Sequence, residues 1–215
     1  MITFIVQGGV MMYLLLIASV LVIAIIINRF LYFKRIKTDE EKLYNGVKDK
    51  LRSHGPEAAI AYSENTEGPA ANILKAGLRH YERGAEKVEE AFEREALIEV
   101  PLLKKYLPAL NTIGSIATLM GFTGTVLGMI NAFNSIAAAD TTSPSIVADG
   151  IAQALTTTAA GLIIAIPALI AYYYFSHQAD TVLLETEKVS RNLLDLIESD
   201  RTIKAYPADE SSPEK

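Results

Sequence analysis

Cysteine is absent from this chain. That excludes a disulfide framework, a thiolate metal site and a thiol nucleophile. Histidine is scarce: the three, His54, His80 and His177, are scattered along the chain. With them goes no Ser/His/Asp cluster, metal-ligand spacing or phosphate-binding loop, so an enzyme is not expected. Basic residues are missing from positions 1–28, whereas a cleaved signal peptide carries its basic segment ahead of a short apolar core. The longest gap lies between Lys105 and Glu185, where Lys, Arg and Glu do not occur and the acidic residues are Asp140, Asp149 and Asp180. A formal net charge of −5 and a pI near 5.3 give no hint of a nucleic-acid partner.

What is present is apolar character kept apart from charge. Half of the 215 residues are hydrophobic, yet 21% are charged, and the mean hydropathy is still +0.24. Residues 10–27 form an apolar run of 18 in which Tyr13 and Ser19 carry the only side-chain polar atoms. At 1.5 Å per residue the run covers about 27 Å, close to a hydrocarbon thickness of roughly 30 Å. Two longer apolar stretches, 107–139 and 146–175, fill the second gap. Between them lies the turn-type cluster Ala-Asp-Thr-Thr-Ser-Pro-Ser at 139–145, with Ser143 as an N-cap and Pro144 at the first helical position. Asp149 then falls early in the helix, where the dipole favours a carboxylate.

All 20 Lys and Arg sit in 29–105 or 188–215. The positive-inside rule puts both regions in the cytoplasm and the N-terminus on the other side. The expected fold is therefore an all-α membrane protein with three transmembrane helices, N-out and C-in, whose long helices extend into a cytoplasmic helical region. The expected segments are a short extracytoplasmic start (1–9), span one (10–33), a cytoplasmic helical insertion (34–105), span two (106–139), an extracytoplasmic turn (140–145), span three (146–176), a cytoplasmic helix (177–204) and a disordered Pro/Ser/Glu-rich tail (205–215). In the insertion, Ile73, Leu74, Gly77, Leu78 and Tyr81 recur at helical spacing, as do Val88, Ala91, Phe92 and Ala96. Val182, Val189, Leu193 and Leu196 make a partial stripe beyond the third span.

The second span carries Asn111, Gly114, Thr118, Gly121, Thr125, Gly128 and Ala132 at alternating three–four spacing, which places them along one stripe. The third echoes it with Gly150, Ala154, Thr157, Gly161, Ala165 and Ala168, joined by Gln153, Thr156 and Thr158, and Pro167 is placed to kink it. For any one Gly or Thr, close helix packing is sufficient explanation. As a set, the two stripes are expected to line a shared space, either a pore or a groove that receives other helices. No Lys, Arg, Glu or His lies well inside a span. If protons move here, the mid-membrane carboxylate comes from another chain.

The segment Met-Gly-Phe-Thr-Gly-Thr-Val-Leu-Gly-Met at 120–129 resembles the Gly-Leu-x-Gly-Thr-Val-x-Gly signature of the ExbB/TolQ/MotA proton-channel family. Gly-Ile-Ala-Gln-Ala-Leu-Thr-Thr-Thr-Ala-Ala-Gly at 150–161, with Ala-Ile-Pro at 165–167, resembles that family's third-helix signature; residues 102–110 and the order of spans match too. Three spans favour the ExbB/TolQ branch. The resemblance implies a bacterial inner-membrane, multi-pass subunit of a homopentamer whose second and third helices line a central space. Within it would sit single-span partners of the ExbD/TolR type, each with a membrane aspartate, and the work would pass to a TonB- or TolA-like protein. It implies no cofactor; the transported ion is H+, with Na+ open. By motif position Thr125 and Thr158 correspond to the pore-facing threonines that contact the partner's aspartate, and Gln153 joins them. The lining small residues would be Thr118, Gly121, Gly124, Gly128, Ala154, Gly161 and Ala165. The chain departs from the pattern at Gln153, where several members have Glu, at Thr118, where many have Pro, and at Leu127, where many have Trp. The function the resemblance implies is the channel-forming subunit of an ExbB–ExbD-like motor that energises TonB-dependent outer-membrane transport, with a TolQ-like role in outer-membrane integrity and a non-conducting scaffold for partner helices as the alternatives.

Overall fold

In the computed structural model, which describes residues 9–36, 39–138 and 144–205, every regular element is helical. In chain order these are α1 (Gly9–Arg35), α2 (Glu40–His54), α3 (Pro56–Glu64), α4 (Pro69–Leu78), a 3₁₀ turn (Tyr81–Arg83), α5 (Ala85–Leu103), α6 (Leu107–Ala138) and α7 (Pro144–Ala205). Three helical stretches, within Gly9–His54, Ala85–Ala137 and Val147–Asp200, are long and apolar enough to cross a membrane. The proposed N-terminal segment up to residue 8, the Ser143 cap with the turn at 139–143, and the tail at 206–215 lie outside the described residues.

The chain divides into two compact units. The first comprises residues 1–31 and 105–177. In it α1 turns Met12, Leu15, Val22 and Arg29 inward, a near-heptad stripe, and leaves Val10, Ile17, Val20, Ile23 and Ile27 more than half exposed. Such a surface suits hydrocarbon, where apolar side chains gain nothing by being covered. Leu15 packs with Ala117 and Ala165, flanked by Met120, Ala160 and Ile164. At the end of the apolar run the Arg29 guanidinium is buried 5.5 Å from the centre of the Tyr106 ring. Tyr106 takes φ +65°, a left-handed conformation ahead of α6, and its carbonyl accepts the Leu110 N–H at 3.2 Å.

The second unit comprises residues 32–104 and 178–215 and follows the rules of a water-soluble bundle. Its core joins Leu43, Val47, Leu51, Ile73, Leu74, Leu78, Val88 and Phe92 to Val189, Leu193, Leu196 and Ile197. The amphipathic periodicities of the insertion and of the stripe beyond the third span thus meet in one cluster. Local chemistry sets the helix starts. Asp39 caps α2 by accepting the Lys42 N–H at 3.0 Å. Gly55, at φ +84°, makes the reversal into α3, where Pro56 occupies the first turn without losing a hydrogen bond. At Gly77 the absent side chain is what admits the Phe92 ring; a Cβ there would collide with it.

Candidate functional site

The small stripes of α6 and α7 face each other. Contacts pair Gly114 with Ala168, Gly121 with Gly161 and Gly128 with Ala154 and Gly150, so the helices run antiparallel. A Cβ on Gly161 would lie 2.6 Å from the Ala117 carbonyl oxygen and 3.0 Å from the Gly121 Cα. One on Gly128 would lie 2.9 Å from both the Ala154 nitrogen and the Gly150 oxygen. At Gly124 it would run into the Thr157 side chain. Backbone therefore meets backbone along this seam, the close approach that dispersion and packing reward in lipid. Gly121, Gly124, Gly128, Ala154, Gly161 and Ala165 are all buried within the single chain by this contact and its α1 neighbour.

Polar side chains flank the seam. Thr118 is exposed, and Thr125, Thr158 and Gln153 are half-buried. The Thr158 hydroxyl crosses the seam and donates to the Gly121 carbonyl at 3.0 Å. That carbonyl is also the helical acceptor of the Thr125 N–H, one turn on. Thr125 donates its hydroxyl to the Phe122 carbonyl at 2.6 Å and Thr118 donates to the Gly114 carbonyl at 3.2 Å. At about 100° per residue, Thr118 and Thr125 stand roughly 40–60° round α6 from Gly121, and Thr158 stands about 60° round α7 from Gly161, in the same rotational sense. In an antiparallel pair this sets all three along one side of the seam.

Gln153 stands apart from them. It is about 140° round α7 from Thr158, and its Nε2 lies 2.7 Å from where a Cβ on Gly9 would be, at the start of α1. The α1 side of the seam is also where Leu15 meets Ala117 and Ala165. The structure thus brings Thr125 and Thr158 together and sets Gln153 beside α1. The residue arithmetic that separates Gln153 from Thr158 is present in the sequence. The proximity of Gly9 has no sequence signal, since 144 positions separate the two residues.

Thr157, a member of the α7 stripe, serves packing. It is fully buried, its hydroxyl bonded to the Gln153 and Ala154 carbonyls at 3.0 and 2.9 Å, and its side chain fills the space that Gly124 leaves. Pro167 lies on an exposed face inside α7 and leaves the Ile163 carbonyl without its helical donor. Among the described residues no three His, Cys, Asp or Glu converge where a metal ion would sit.

Residues 65–188 match the family model described as the MotA/TolQ/ExbB proton channel family, a stretch that contains α6, the apolar part of α7 and the threonines of both. An ExbB-like biopolymer transport protein of Synechocystis sp. is 32% identical over 165 residues, covering 76% of this chain and 79% of that protein. The biopolymer transport protein ExbB of Salmonella typhimurium is 32% identical over 177 residues, covering 76% and 70%. The Tol-Pal system protein TolQ of Pseudomonas aeruginosa reaches 43% identity, over 81 residues that cover 38% of this chain and 35% of that protein. With three apolar spans, a glycine-tight helix pair flanked by threonines, and similarity extending over three quarters of the chain, this membrane protein belongs to the MotA/TolQ/ExbB proton channel family.

Proposed function

We propose that this chain is the channel-forming subunit of an ion-motive-force-driven motor of the ExbB–ExbD type. It would form a homopentamer in the bacterial inner membrane, with N-out, C-in topology, and would energise TonB-dependent transport across the outer membrane. The observation that carries this reading is the threonine flank: Thr118, Thr125 and Thr158 lie on one side of the seam while the glycines hold the helices together. Each of these hydroxyls gives its hydrogen to a backbone carbonyl. Its oxygen keeps lone pairs, so the flank offers acceptors rather than donors. Such a surface stabilises a protonated carboxylic acid, or water beside it, more than a carboxylate. An ExbD/TolR-like helix would keep its membrane aspartate neutral while the acid rests against Thr125 and Thr158, and would move on as the proton is lost. Hydroxyl oxygens also suit Na+. One charge crossing the membrane yields about 2.3 kcal/mol per 100 mV, so a few ions per step suffice to turn helices past one another.

Co-purification with the neighbouring single-span membrane protein, followed by native mass spectrometry and proton flux in liposomes, tests the reading. A five-to-two complex is expected. Thr125→Val and Thr158→Val should each lower flux at least about tenfold with assembly intact, the scale of losing one hydrogen bond to an ionisable partner. Thr125→Ser and Thr158→Ser should keep most of it. Flux unchanged in both valine variants would leave a non-conducting scaffold as the better account. The TolQ relative favours a second reading, a role in outer-membrane integrity. Complementation of TonB-type uptake and of Tol-type integrity in deletion strains separates the two.

A further inference from the structure

Within the second unit, α2 lies along the outer part of α7 in parallel. Their seam is apolar through Leu43, Val47 and Leu51 on one side and Val189, Leu193 and Ile197 on the other. The Tyr44 hydroxyl donates to the Asn192 carbonyl at 3.4 Å, and at the far end Arg52 Nη2 stands 3.6 Å from Asp200 Oδ1. The near end is built differently. Glu40, in the first turn of α2, and Glu185 of α7 line the same cavity of about 310 Å³. Asp39, Glu41 and Tyr44 face it from the α2 side, and Lys188 is the one cation lining it, from α7. Four carboxyl groups therefore crowd one ammonium. The Glu40 and Glu185 carboxyls lie within interaction range of each other across this cavity. Two ionised carboxylates are acceptors only, so a hydrogen bond between these two needs a proton on one of them.

We propose that the Glu40–Glu185 carboxyl pair is a proton-operated latch: one proton shared between them docks the first turn of α2 on α7, and its loss releases that turn by like-charge repulsion. The electrostatics agree. Glu40 is pushed up to about 7, chiefly by burial; a backbone hydrogen bond opposes this, and the nearby Glu185 and Asp39 carboxylates add to it. A carboxyl whose value is raised from 4.5 to about 7 by docking binds its proton more tightly when docked. Docking is therefore strongest below about 4.5 and is lost as pH rises through about 7. The change falls in the physiological range, and it acts where the chain has just left the first and third spans. The device makes the attachment of α2 to α7 respond to the proton concentration around this unit.

Hydrogen–deuterium exchange of the full-length protein in nanodiscs at pH 6 and pH 8, corrected for intrinsic exchange, reads the latch at residues 40–47. Protection there should fall several-fold, at most about tenfold, between the two values, because the docked first turn holds one more proton than the released one across that window. Glu40→Gln carries a permanent donor in place of the acid and should stay protected at both values. Glu185→Gln removes the repelling charge and should flatten the same profile, so either variant serves if the other folds poorly. Protection at 51–54, beside the Arg52–Asp200 pair, is the internal reference. Equal protection of the unaltered protein at pH 6 and pH 8, or the same fall in both glutamine variants, would overturn the proposal.

Discussion

Gly161 shows how much one missing side chain matters here. The atoms nearest to a Cβ at this position are the Ala117 carbonyl oxygen, at 2.6 Å, and the Gly121 Cα, at 3.0 Å. Both belong to backbone and cannot swing aside. Overpacking of this kind costs about 1–3 kcal/mol or more, through displacement of whole helices. Gly161→Val is expected to lower the melting temperature of the purified protein and to disrupt the proposed pentamer. The contrasting change at an exposed neighbour, Ile163→Val, should do neither, since Ile163 is 70% exposed. Thermal unfolding in detergent monitored by size-exclusion chromatography checks both. Thr158 sits at the same seam but makes a different contribution. Its hydroxyl bond to Gly121 is worth only about 0.6–1.5 kcal/mol to stability, so a large functional loss in Thr158→Val would have to come from outside the subunit.

At the scale of elements, the two units are held by different forces. Between α6 and α7 the contact is glycine, alanine and backbone, with apolar side chains such as Phe122, Val126 and Ile163 turned outward. Among α2, α4, α5 and the outer part of α7 it is the reverse: large aliphatic side chains are buried and most charges are exposed, Glu99 being buried where it accepts from Asn72. The sequence pattern distinguished these cases, because amphipathic periodicity survives in 73–96 and 182–197 and disappears in the spans. Leu193 is fully buried in the second unit, and Leu193→Ala should cost about 2–5 kcal/mol there. Leu184, which is 67% exposed on the same helix, should tolerate the same change. Pulse proteolysis in urea, following cleavage within 40–103, would report the difference; equal resistance of the two variants would contradict this core.

For the whole molecule the decisive property is sidedness. The chain has no cysteine, so any introduced one is a unique reporter. With all 20 Lys and Arg in 29–105 or 188–215, Ser53→Cys and Ser199→Cys are expected to be shielded from a membrane-impermeant maleimide applied to spheroplasts. Ser145→Cys, between the second and third apolar stretches, is expected to react. Labelling of Ser53→Cys from outside would reverse the topology, and with it the compartment whose pH the Glu40–Glu185 pair would sense.

The helical class, the three spans and the residues that compose the two small stripes are legible in the amino-acid order, because lipid imposes length, apolarity and charge placement directly on the linear chain. The spacing that sets Gln153 and Thr158 on different faces of one helix is present in it too, but the sequence reading groups the two, and the structure places Gln153 apart, beside α1. That six of the small residues are buried by packing of the chain against itself emerges from the folded contacts alone. The same contacts present the threonine hydroxyl oxygens outward and set Gln153 beside Gly9. They alone bring Glu40 to Glu185 across 145 positions. The reason is the same in each case: periodicity says which residues share a face, but which two faces meet depends on how distant helices pack, and that is written in contacts rather than in spacing.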